Sequence, residues 1–170
     1  MAATDDAPAP IEVPPLRGVV ETTAHLLSVW FGCGHIPRIP GTAGTIGAIP
    51  LYLLLRPHGL VPVAIAAVVI TVVGIWSSSR VCARLQRKDP QIVCIDEVAG
   101  VLIAWLGAPV GWQGTLAGFV LFRLFDQFKP WPAREAERKL PAGWGVMLDD
   151  VVAGIWAAAV LLAARRMGWL

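Results

Sequence analysis

Charge is scarce in this chain. Of its 170 residues, 15% are Asp, Glu, Lys or Arg and 56% are hydrophobic, a balance outside the range of ordinary soluble domains that points to a membrane protein of one compact unit. The net charge of +2 is too small to argue for a nucleic-acid partner, and none is expected. Cysteine is scarce as well. Cys33, Cys82 and Cys94 form no CxxC pair and stand beside no histidine cluster, so neither a disulfide framework nor a zinc site is supported and three free thiols are expected. The opening "MAATDDAPAPIEVPPLRGVV" lacks the basic and apolar regions of a signal peptide. It reads as a flexible N-terminal arm over residues 1–20, followed by a single helical domain over residues 21–170.

Long apolar runs fill the rest. Residues 60–79, "LVPVAIAAVVITVVGIWSSS", match the ~20 apolar residues that cross a bilayer. Shorter runs cover residues 43–55, 96–110, 114–128 and 149–164. Together they predict an all-α fold, a bundle of five to six helices with several of them membrane-embedded. "RVCARLQRK" (residues 80–88) and "KPWPAREAERK" (residues 129–139) hold eight Lys or Arg between them, which assigns both loops to the cytoplasm. Arg165 and Arg166 then fall on the opposite side, against that rule. Trp76, Trp112, Trp131 and Trp144 sit near the ends of runs, where an indole suits the interface.

Threading the chain through those crossings brings four polar clusters to one face. They are "GTAGT" (residues 41–45), Asp96 with Glu97, Arg123 with Asp126, and Asp149 with Asp150. Ionisable groups at membrane depth are costly and mark functional sites by default. Five carboxylates beside an arginine and Lys129 suit a magnesium site, since that ion takes carboxylates, waters and phosphate oxygens. Either acidic pair alone is better explained as a complement to a helix dipole. For Arg123, Asp126 and Lys129 alone, an intrahelical ion pair with a snorkelling lysine is the lesser alternative.

Two spacings sharpen the functional reading. Asp96, Gly100 and Ala104 recur every four residues, as do Asp150, Gly154 and Ala158, so each acid heads a stripe of small residues that lets helices approach closely. "GHIPRIPGTAGT" (residues 34–45) supplies a Gly/Thr-rich helix start whose amides suit an anion, with Arg38 adding charge. An acidic cation site beside such an anion site suggests phosphate-ester chemistry.

Other chemistries fit less well. Four residues separate Cys33 from Arg38 where a cysteine phosphatase loop has five, and "DEV" lacks the second aspartate of a haloacid-dehalogenase DxD pattern. The DGxxAR pattern of CDP-alcohol phosphotransferases is missing too. A small membrane carrier or channel subunit would need polar residues deep in its spans, and residues 60–79 offer little beyond Thr71.

"PGTAGTIGAIP", "DPQIVCIDEVAG", "FRLFDQFKPWP" and "DDVVAG", in this order from about Gly34 to Gly154, resemble the phosphatidylglycerophosphatase A family. The resemblance implies an all-helical, magnesium-dependent phosphatase that converts phosphatidylglycerophosphate to phosphatidylglycerol. Its place would be a bacterial inner (cytoplasmic) membrane, multi-pass, with the active site on the cytoplasmic face. By position, the family's polar residues fall on Thr42, Thr45, Asp89, Asp96, Glu97, Arg123, Asp126, Lys129, Asp149 and Asp150. Gln127, Phe128 and Trp131 depart from the pattern without removing a charge. On this basis Asp96, Glu97, Asp149 and Asp150 are expected to hold one or two Mg2+ ions. Arg38, Gly41, Thr42, Gly44, Thr45, Arg123 and Lys129 are expected to bind the substrate phosphate. Asp96, Glu97, Arg123, Asp126, Lys129 and Asp150 form the expected catalytic group, with Asp126 either a ligand or a water-positioning group. Self-association into a homo-oligomer is left open, as is another membrane lipid phosphate as substrate.

Overall fold

A computed structural model of the chain describes residues 15–169. The fold is all-α: among the described residues there are eight α-helices and no strand. They are α1 (Val19–Ser28), α2 (Pro40–Gly47), α3 (Ile49–Leu55), α4 (Leu60–Leu85), α5 (Ile95–Gly107), α6 (Trp112–Phe128), α7 (Ala133–Lys139) and α8 (Ala142–Arg166). Most of the expected N-terminal arm lies outside the described residues, and its last two positions, Val19 and Val20, already belong to α1.

The five apolar runs all fold as helices, but their lengths differ from five equal crossings. Two helices, α4 with 26 residues and α8 with 25, are long and apolar enough to cross a membrane. α5 has 13 residues and α6 has 17, short of the ~20 a crossing needs. The run at residues 43–55 is divided between α2 and α3, with Ala48 at the junction. Ala48 keeps αR dihedrals, so the two helices run nearly end to end. Pro50 withholds the N–H that would continue the ladder there.

α5 lies at the centre, packed by α4, α8, α6 and α2. Its sequence is apolar on every side, as a fully enclosed helix requires. Val98, Ala99, Val101, Leu102, Ala104 and Trp105 are completely buried. The Trp105 ring stacks on Tyr52 with centroids 4.5 Å apart, and its Nε1 donates to the Thr115 carbonyl at 2.9 Å, which meets the polar demand of a buried indole.

The small-residue stripes meet as their spacing predicts. A Cβ on Gly100 would lie 2.7 Å from the Asp150 carbonyl oxygen, and one on Gly154 would strike the Gly100 carbonyl. Lower down, Gly107 faces the Ala158 backbone in the same way. Backbone contact of this kind maximises dispersion attraction between helices. It also fixes the rotation of α8: Asp150, one turn before Gly154, must face the start of α5.

Candidate active site

The acids of α5 are held at its first turn, where the helix dipole favours negative charge. That start is anchored by the Cys94 N–H, which donates to the Ser28 carbonyl at 2.9 Å and ties α5 to the end of α1. The acids of α8 are different. α8 begins at Ala142, so Asp149 and Asp150 lie about two turns inside it, beyond the reach of its terminal dipole. A helix-dipole explanation therefore fails for this pair.

Asp96, Glu97 and Asp150 converge. One carboxylate oxygen from each lies within 4.8 Å of the other two. Asp96 and Asp150 are buried, and Asp96 Oδ1, Glu97 Oε2 and Asp150 Oδ2 lack any hydrogen-bond partner. Buried polar atoms are normally satisfied, and clustered carboxylates repel unless a cation or protons intervene. Unsatisfied oxygens from three acids suit a hard, oxygen-seeking divalent ion. The donor set therefore fits the magnesium that the sequence leads one to expect.

Asp149 points elsewhere. Its Oδ2 accepts from Lys129 Nζ at 2.6 Å, and its Oδ1 accepts from the Asp150 N–H at 3.0 Å. Neighbours on a helix point ~100° apart, so α8 presents Asp150 to α5 and Asp149 to the end of α6. Lys129 reaches it from an unusual position. It ends α6 in the left-handed region with φ 44°, its N–H bonded to the Phe125 carbonyl at 2.8 Å, and Pro130 prevents the helix from continuing.

Arg123 links the acids to the rest. Its Nη1 lies 2.8 Å from Asp126 Oδ2 and 3.9 Å from Glu97 Oε1. The first turn of α2 closes on this pair, because a Cβ at Gly41 would run into Glu97 Oε1 and come 3.2 Å from Arg123 Nη1. Gly41 is thus required for close approach. Gly44 serves packing, since its missing Cβ leaves room for the Cys94 carbonyl, which would otherwise lie 2.7 Å away. Thr45 is fully buried and its hydroxyl donates to the Gly41 carbonyl at 2.9 Å, while Thr42 is half-buried beside Gly41. Arg38 is exposed on the loop before α2, and Asp89 is exposed between α4 and α5.

The nearby thiol is not a nucleophile. Burial, followed by the charges of Glu97 and Asp96, pushes the Cys94 thiol far above its usual range, whereas thiolate chemistry needs the reverse. All three cysteines are free. Gly41 and Gly44 are expected at the phosphate, but the close approach of Gly41 to Glu97 is invisible without the packing of α2 on α5.

The family model of phosphatidylglycerophosphatase A matches residues 26–165. A phosphatidylglycerophosphatase A of Escherichia coli (strain K12) is 36% identical over 81% of this chain and 80% of its own length. One from Haemophilus influenzae is 38% identical over 83% and 88%. A Bacteroides thetaiotaomicron protein, provisionally named a phosphatidylinositol-3-phosphatase, is 38% identical over 82% and 92%. No solved structure matches the chain. With a match that spans the acidic triad, Arg123 and the close-packed start of α2, this chain belongs to the phosphatidylglycerophosphatase A family.

Proposed function

We propose that the protein is a phosphatidylglycerophosphate phosphatase, removing the terminal phosphate to leave phosphatidylglycerol, and that it requires magnesium. The observation that carries this reading is the triad of buried Asp96 and Asp150 with half-buried Glu97, its oxygens unsatisfied, set beside Arg123 and the start of α2. The names of the Escherichia coli and Haemophilus influenzae relatives support the substrate.

Asp96, Glu97 and Asp150 would hold the ion. When bound, magnesium neutralises these carboxylates, polarises phosphate oxygens and acidifies a bound water. The remaining work falls to side chains and amides of this chain. Arg123, held by Asp126, stabilises the negative phosphoryl oxygens and keeps them oriented. Amides in the first turn of α2 add donors without a reorganisation cost. Lys129 is anchored by Asp149 at the rim, where its charge attracts the phosphate. Water adds at phosphorus, the P–O bond to the lipid alcohol breaks, and that oxygen leaves as a hydroxyl after taking a proton.

The test is phosphate release from phosphatidylglycerophosphate in mixed micelles. Turnover is expected with magnesium, and it should fall to background in EDTA and return on adding magnesium in excess. Turnover unaffected by EDTA would remove the metal from the mechanism. The Bacteroides thetaiotaomicron relative favours a second reading, an inositol lipid phosphate. Faster release from phosphatidylinositol 3-phosphate than from phosphatidylglycerophosphate would establish it.

Placement in a membrane, here read as a bacterial inner membrane, is supported by what α4 exposes. Val61, Ile65, Val68, Val69 and Val72 are each more than half exposed along it, which water would penalise and acyl chains would cover. Arg80 and Arg84 at its C-terminal end, with Arg87 and Lys88 just beyond, support an orientation with that end and the active site toward the cytoplasm. An alkaline phosphatase fusion placed after Lys139 should therefore be inactive in cells. An active fusion would reverse the orientation.

A further inference from the structure

A groove of ≈ 770 Å³ runs between the α2–α3 pair and the N-terminal half of α6. Ile46, Ile49 and Leu53 form one wall, and Trp112, Leu116 and Phe119 form the other. Both walls continue into the active site. On α6, residues 112, 116, 119, 123 and 126 recur at spacings of four and three and so share one face. That face is apolar through Phe119 and ionic from Arg123 to Asp126. On the opposite wall, residues 42, 46, 49 and 53 follow the same rhythm, starting beside Gly41.

Depth agrees with the lipid. Phe119 lies one turn, ~6 Å, from Arg123 along the helix, and Trp112 lies ~16 Å away. The hydrocarbon of one leaflet is ~15 Å deep, half of the ~30 Å bilayer core. The groove is also open where it should be: Ile46, Leu53, Trp112 and Leu116 are each more than half exposed, so a chain can enter sideways from the bilayer.

We propose that this groove seats an acyl chain of the lipid phosphate while its terminal phosphate lies at Arg123. The proposal rests on the lipid-phosphatase reading above and adds to it the part of the protein that recognises the hydrocarbon. A seated chain would align the phosphate with the triad and let binding of an unreactive portion assist reaction at a distance.

The experiment compares two substrates on the full-length protein: dioleoyl phosphatidylglycerophosphate and its deacylated, water-soluble head group. Leu116→Trp and Leu53→Trp place bulk in the groove at exposed positions that the fold tolerates. Each should raise KM for the dioleoyl substrate about tenfold, the scale of pocket mismatch in apolar sites, and change kcat/KM for the head group less than about twofold. Val68→Trp and Val72→Trp, on the exposed face of α4, should leave the ratio between substrates unchanged. An unchanged ratio in the groove variants, or an equal change in the α4 variants, overturns the proposal. So does equal loss on both substrates together with a shift in oligomeric state, which would assign the groove to a second copy of the chain.

If the wild type releases phosphate from neither substrate, the functional reading fails on its own. The groove is then read by photolabelling in phosphatidylcholine vesicles with phosphatidylglycerol carrying a diazirine on one acyl chain. Label on α6 relative to α4 should fall severalfold in Leu116→Trp, and an unchanged ratio overturns the seat.

Discussion

Asp150→Asn is expected to reduce phosphate release by about a hundredfold to a thousandfold, the range seen when one preorganised charge-stabilising group is removed, while making the metal-free protein more heat-stable. The two effects share one cause. Asp150 is 3% exposed, one of its carboxylate oxygens lies within 4.8 Å of oxygens from Asp96 and Glu97, and its Oδ2 has no hydrogen-bond partner. A buried charge without compensation opposes folding, so a neutral amide of the same shape relieves repulsion. The same substitution removes one ligand from a set of three. Magnesium should accordingly raise the melting temperature of the wild type, as any ligand specific for the folded state does, and have little effect on the variant. Asp96→Asn should behave alike. Thermal scans with EDTA and with magnesium, run beside the turnover assay, read both effects. Near-normal turnover in folded Asp150→Asn or Asp96→Asn would remove that acid from the reaction.

Gly100→Val is the second large effect, and it acts through packing. Its Cβ would lie 2.7 Å from the Asp150 carbonyl oxygen and closer still to the Phe122 ring, a side chain with no exposed area. The ring could turn aside, but the carbonyl belongs to the α8 backbone. Relief therefore requires α5 and α8 to separate, which opens the triad they share. Overpacking of a core costs about 1–3 kcal/mol and occasionally more. For a domain of this size, 3 kcal/mol would lower Tm by about 6–12 °C. A displacement of 1 Å at reacting groups is enough for about a hundredfold loss of rate, so turnover should fall even below the melting transition. A variant with wild-type Tm and turnover would show that α5 and α8 are not in contact at this position.

The two acids of α8 show how far the chain could be read without its fold. Asp149 and Asp150 are chemically equivalent in sequence, and both were expected to hold the metal. Only Asp150 heads a stripe with Gly154 and Ala158, and that stripe is the surface that meets α5. The division of labour was therefore present in the spacing, although acid chemistry alone did not separate the pair. Asp126 is a contrasting case. Its spacing from Arg123 makes an ion pair available, and the structure forms it at 2.8 Å, but nothing local says that Arg123 also approaches Glu97.

Hydrophobic periodicity, small-residue stripes and the positions of the charges are properties of the chain itself. They determined an all-α bundle, the contact between the DEVAG and DVVAG helices, and the family. Tertiary packing decided that the run at residues 149–164 extends into the 25-residue α8, because Gly143 lets the start of that helix lie against the backbone of α4. It also decided which oxygens meet, because a helix offers each residue a direction but takes its rotation from the surface it packs against. Gly41 against Glu97, Asp149 against Lys129, and the groove that continues the face of Arg123 all follow from rotations that no single segment specifies.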